Sequence, residues 1–165
     1  MTQQEEQIMH HGDLVVNKVR GAIEDRALYL ALLYRSFARY FPADQVEKAA
    51  REAIFEYGRL KGQSDTEKMT PAKWVDHHVA KGSAAVFESR IVKEQGRSQQ
   101  QMTYCPLVQA WKKLGCSPEE IDLLCDIAME VDRGRAAYHG LNIEIPKRIG
   151  KGDPFCCLVL MGDEE

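Results

Sequence analysis

The residues of this 165-residue chain best suited to chemistry are its five cysteines, Cys105, Cys116, Cys125, Cys156 and Cys157, all in the C-terminal part. Cys105 is followed by Pro106, a residue favoured at the first position of a helix. A thiol at a helix start faces the positive end of the amide dipoles, which stabilises a thiolate and lowers its pKa below about 8.5. Cys105 is therefore the first candidate nucleophile. Cys156 follows the turn Gly152-Asp153-Pro154-Phe155 at the head of a strand, and is the second. Cys125 sits inside an apolar helical stripe and is the least reactive by this logic. Asp126 adjoins it, and Asp132, at i+7, returns to the same helical face. An acid on a core stripe must be paired, hydrogen-bonded or functional. His78 lies at i+4 from Trp74 and faces inward with that ring, either as a hydrogen-bonded core histidine or as a site residue.

Other chemistries are excluded by what the sequence lacks. It has no Gly-rich phosphate loop, no G-x-S-x-G elbow, no His-Glu-x-x-His and no C-x-x-C pair. A net charge of −3 without a long basic cluster argues against nucleic acid as the partner. No apolar run approaches the roughly 20 residues needed to span a bilayer, and the first residues do not read as a signal peptide. An odd number of cysteines without a secretory signal predicts a cytoplasmic protein with free thiols.

The elements that must position these residues follow from periodicity. Residues 1–12 read as a mobile leader and 13–165 as a single α+β domain. Ile23, Ala27, Leu30, Tyr34, Phe37 and Phe41 share one face of a helix from about Leu14 to Tyr40. A second helix, from about Asp44 to Leu60, turns Val46, Ala50, Ala53, Tyr57 and Leu60 inward, its alanines permitting close packing on the first. Gly62 to Lys68 reads as a linker, and Thr70-Pro71 opens a short helix ending at Gly82. Period-two alternation from Ala85 to Val92, a turn over Gln95–Gln99 and a strand from Gln101 to Cys105 make a hairpin. A helix from Cys105-Pro106 stops at Gly115. Ser117-Pro118-Glu119-Glu120 is a capping box that opens a helix to about Tyr138. Leu141, Ile143 and Ile145, then Phe155 to Met161, make a second hairpin, whose last strand is apolar on both faces. The expected fold is N-terminal helices plus two antiparallel hairpins joined in one four-stranded sheet, with helices packed on it.

Taken in order, Cys105-Pro106-Leu107, Cys125-Asp126, Asp132 and Gly152-Asp153 with Cys156 resemble the L-2-amino-thiazoline-4-carboxylate hydrolase family, across roughly Arg26 to Met161. The resemblance implies hydrolytic opening of a small cyclic amidine or isothiourea, with a small-molecule substrate and a homo-oligomer possible. On that basis Cys105 or Cys156 attacks, Asp126 or Asp132 moves the proton, and Arg90 or Arg148, with His78, binds the substrate. Cys116 and Cys157 fall outside the pattern. The architecture also looks similar to 4-vinyl-reductase-type ligand-binding domains. That alternative implies a divalent metal such as zinc on Cys105, Cys125 and Cys156, with Asp126 or His78 as fourth ligand.

Overall fold

The computed structural model describes residues 3–163, with side chains from residue 13. Seven helices and four strands are described: α1 (Gln3–Phe37), α2 (Ala43–Ser64), α3 (Pro71–Ala80), α4 (Ser83–Phe87), β1 (Ser89–Glu94), β2 (Arg97–Met102), α5 (Pro106–Lys113), α6 (Pro118–Ala128), α7 (Glu130–His139), β3 (Asn142–Lys147) and β4 (Cys156–Met161), with a short 3₁₀ turn at Ile149–Lys151. The strands form one antiparallel sheet in the order β1-β2-β4-β3, and helices surround it, as expected of an α+β domain. The expected leader overlaps Met1 and Thr2, which lie outside the described residues. Helix α1 starts at Gln3 rather than near Leu14.

The sheet joins the two hairpins through their second strands. Gln100 of β2 stands opposite Leu158 of β4, and Met102 opposite Cys156. Cys156 to Leu160 are buried without a break, as a strand covered on both faces requires. β3 is an edge strand, and its Pro146 sits where a missing N–H is tolerated. Trp111 of α5 and Leu124 and Ile127 of α6 are among the largest fully buried side chains. The Trp111 indole N–H donates to the Ala27 carbonyl at 2.9 Å, tying α5 to α1.

Several sequence expectations change. The segment from Ser83 to Phe87 is helical, not extended, because Gly82 (φ +79°) starts a new turn before two alanines. Glu88 (φ +50°) then breaks that helix, and β1 begins at Ser89. The turn is Gln95-Gly96, with Gly96 at φ +66°, so β2 lies at Arg97–Met102 rather than 101–105. The helix expected from Pro118 to Tyr138 bends at Met129 into α6 and α7. The Ser117 hydroxyl accepts the Glu120 N–H at 3.2 Å, as a cap should. Glu120 completes the box, its carboxylate accepting from the Ser117 backbone N–H, and it also takes two hydrogen bonds from Arg35, at 2.6 and 2.8 Å.

The expected α1–α2 core is the largest correction. Ala27 and Ala31 are buried, but Phe37 and Phe41 are 51% and 54% exposed. Helix α2 runs on through the expected linker to Ser64 and packs mainly on α7. Its close approach comes from Gly58 and Gly62, not from Ala50 and Ala53. A Cβ at Gly62 would stand 2.7 Å from the Tyr138 side chain, and one at Gly58 would meet the Val131 carbonyl. Ala50 and Ala53 instead line an apolar groove of about 530 Å³ between the end of α1 and the start of α2.

Candidate active site

The three site cysteines meet at one cavity of about 210 Å³ under the sheet. Cys105 reaches it from the β2–α5 junction, Cys125 from α6 and Cys156 from the head of β4. Asp132 enters from α7, His78 from α3, Lys81 from the cap just past its end, Arg26 from α1, Lys61 from α2, and Gln100 and Met102 from β2. All three thiols are buried.

The local sequence explains how the sulfurs are held. Cys105 is the N-cap of α5, with extended backbone (φ −136°, ψ 109°), and its sulfur takes backbone hydrogen bonds from Leu107 and Val108. The Gly152-Asp153 motif builds the β3–β4 connection. Gly152 takes φ +104°, and the Asp153 carboxylate accepts the Arg148 N–H at 2.9 Å. That loop aims the Ile149 N–H at the Cys156 sulfur, 3.2 Å away. It also lays Gly150 against Cys125, whose Cβ and sulfur a side chain at 150 would strike.

Electrostatics correct the expectation of a depressed thiol pKa. Burial pushes the Cys105 thiol up, and this outweighs the amides of Val108 and Leu107 and the nearby Arg26, all of which favour the thiolate. The helix-start effect is present but smaller than desolvation. Cys125 is pushed up to about 11 and Cys156 to about 12, again chiefly by burial. Each is a thiol at neutral pH. Burial also raises Asp132, against the pull of Lys81, Lys61, Arg135 and Arg26. His78 is lowered to about 4, first by burial and then by Lys81, Arg135 and His77, so its ring is neutral. Its Nε2 lies 2.9 Å from the Ser89 hydroxyl.

The other sequence candidates lie elsewhere. Asp126 sits among arginines, 2.9 Å from Arg51, 2.8 Å from Arg133 and 3.3 Å from Arg148. These cations hold its carboxyl low against burial, and it does not line the cavity. Arg148 is engaged with Asp122 at 2.8 Å as well as with Asp126. Arg90 is exposed on edge strand β1. Neither arginine lines the cavity, because strand register and ion pairing direct them away. The zinc alternative also fails to find a cage: among the described residues, no group of three or more His, Cys, Asp and Glu side chains is placed to hold a metal ion.

Sequence reasoning missed the cavity's cations and Gln100. Lys81 was within reach, since Trp74, His78 and the C-cap of α3, Lys81, step by four and three. Lys61 and Arg26 join only through the docking of α2 and α1. Behind α3, Asp65 binds Arg135 through two 2.8 Å hydrogen bonds and lies 2.8 Å from His139 Nε2. His139 Nδ1 accepts the Met69 N–H at 3.2 Å, so Nε2 carries the proton that Asp65 accepts. Arg135 also stacks 4.6 Å over Trp74 and donates to His77 Nδ1 at 2.7 Å.

No helix among the described residues is long and apolar enough to cross a membrane. A search of curated proteins finds no match to this chain. The family model for L-2-amino-thiazoline-4-carboxylic acid hydrolase matches residues 20–159, a span that holds every residue of the cavity, and the chain belongs to that family of hydrolases.

Proposed function

We propose that the chain hydrolyses a C–N bond of a small cyclic amidine or isothiourea that bears a carboxylate. The observation that carries this reading is the convergence of Cys105, Asp132 and three cations, Arg26, Lys61 and Lys81, on one small cavity. About 210 Å³ suits a single small ring. Arg26 and Lys81 are exposed over part of their length and Lys61 is half-buried, so together they offer a carboxylate its counter-charge at the solvent side. They take the anchoring role that Arg90 and Arg148 do not fill.

Cys105 is the best-supported nucleophile, because two amides and Arg26 stabilise its thiolate as it forms. As the sulfur adds to the ring carbon bonded to nitrogen and sulfur, the thiol proton passes to the ring nitrogen. The ring C–N bond breaks, its electron pair goes to nitrogen, and Asp132, whose raised pKa keeps a proton within reach, protonates that nitrogen and regains a proton from the exocyclic amino group as that group becomes the new C=N. Water then adds to the same carbon and displaces the enzyme sulfur, returning a thiol and an opened carbamoyl product.

Hydrolysis of 2-amino-thiazoline-4-carboxylate, followed for the wild type, Cys105→Ser and Cys116→Ser, tests this. Cys105→Ser should lose at least about a hundredfold in kcat, serine being a far weaker nucleophile without a matched base. Cys116→Ser should stay near wild type. Full activity in Cys105→Ser with loss in Cys156→Ser would transfer the role to Cys156. Activity in both single variants would end the covalent mechanism.

A further inference from the structure

We propose that Gln100 is a specificity-determining residue, whose side-chain oxygen accepts a hydrogen bond from an N–H group of the ligand in this cavity. This deepens the reading given above and rests on it. Strand β2 alternates cleanly, with Ser98, Gln100 and Met102 on the buried face. Gln100 stands on that face opposite Leu158, in a position where an apolar side chain would fill the core. It is only 5% exposed, and it lines the cavity beside Met102 and Leu158.

Its amide is half satisfied. The Nε2 group donates to the Met102 sulfur at 3.4 Å, while Oε1 is shielded from solvent and has no partner. The assignment of the two atoms is supported by chemistry: a thioether sulfur accepts only, so the amide nitrogen belongs beside it. A buried amide oxygen without a donor carries a desolvation cost that nothing in the protein offsets. A Leu or Met at position 100 would avoid that cost. The terminal torsion of a glutamine is soft, so a small rotation presents the oxygen to a bound molecule.

The acceptor defines the ligand. Carboxylates and ethers have no proton for Gln100, whereas the nitrogen of an amidine or of an amino-substituted ring does. The cations Arg26, Lys61 and Lys81 attract the opposite character. Together they select a molecule with a carboxylate and an N–H donor on one small ring. A site built around such a hydrogen bond rejects analogues that lack the donor, because its own polar atom is then left unpaired.

The test is calorimetric titration of the full chain and of Gln100→Met with two compounds, 2-amino-thiazoline-4-carboxylate and its 2-methyl counterpart, alongside turnover and thermal unfolding. The wild type should bind the amino compound about tenfold more tightly than the methyl compound. Gln100→Met should hold the two within about twofold and unfold at a temperature no lower than the wild type. Should Gln100→Met misfold, Gln100→Leu supplies the same comparison. Equal binding of both compounds by the wild type, or a preference that survives in the variant, overturns the role of Gln100 even where turnover is normal. A preference that depends on Gln100, without any turnover, upholds it and overturns the hydrolytic reading. Binding of neither compound overturns both.

Discussion

Gly134 of α7 rests on the backbone carbonyl of Phe55 in α2, so closely that a Cβ at position 134 would strike that carbonyl. This contact, with those of Gly58 and Gly62, lets α7 lie flat on α2 and carry Asp132 to the cavity. Gly134→Ala should therefore destabilise the fold by roughly 2 kcal/mol or more, the backbone carbonyl being unable to yield. Gly21→Ala is the matched control, since nothing lies within 4 Å of its would-be Cβ. That change should stabilise by about 0.5–1 kcal/mol. Urea midpoints of the two variants check both signs.

Asp132 makes no hydrogen bond or ion pair among the described side chains, in contrast to the partner expected from its place on a core stripe. Burial raises its folded-state pKa, so the stability it permits is fully present below the ordinary carboxylate value and declines as pH rises through the folded one. Asp132→Asn removes this dependence. The variant should be at least as stable as wild type at pH 7 and gain least on it near pH 4, while losing turnover. Denaturant titrations at the two pH values measure the difference, and a variant less stable at pH 7 would point to an unseen partner.

Asp65 should show the opposite sign. Its bonds to Arg135 and His139 hold its carboxyl low against burial, so its contribution is present above the unfolded pKa and lost as pH falls through the folded one. The Asp65 and Arg135 side chains are 6% and 9% exposed. Asp65→Ala leaves a buried guanidinium uncompensated and should cost about 3–5 kcal/mol, measured by thermal or urea unfolding.

The thiols should react in an order unlike the one their sequence positions imply. Burial raises all five, including Cys116 and Cys157, but Cys116 alone is half-buried rather than buried. Iodoacetamide at pH 7.5 should label Cys116 first and Cys156, raised to about 12, last. Peptide mass spectrometry gives the order directly. Early labelling of Cys105 would show that desolvation is not the larger effect there.

What could be read in the sequence was what local chemistry decides. Pro106 and Ser117 start their helices, the apolar run at Cys156–Leu160 becomes a doubly covered strand, and Cys105, Asp132 and Cys156 share a cavity. What escaped depends on which helix lies against which. The stripe ending at Phe37 and Phe41 has the spacing of a core face, yet spacing does not say whether a partner arrives, and α2 went to α7 instead. Asp126 looked chemical beside Cys125, but a helix puts neighbours about 100° apart; the acid faces arginines while the thiol faces the cavity. Gln100 was hidden because the turn was read too long, over 95–99, and the strand too late, from 101; β2 in fact starts at Arg97, just after Gly96, and position 100 falls within it.

The central place of β4 has a consequence during synthesis. This strand is translated after every element it touches, yet it sits between β2 and β3 and pairs position 100 with position 158. Such distant pairings are slow, because the intervening chain must be closed into a loop first. Until β4 docks, the inner edge of β2 is an open row of amides and carbonyls, ready to pair with another chain. The growing polypeptide thus carries a sticky β edge and uncovered Cys105 and Cys125 until β4 leaves the ribosome. Aggregation and stray oxidation during expression should fall when elongation is slowed least and chaperones are most abundant.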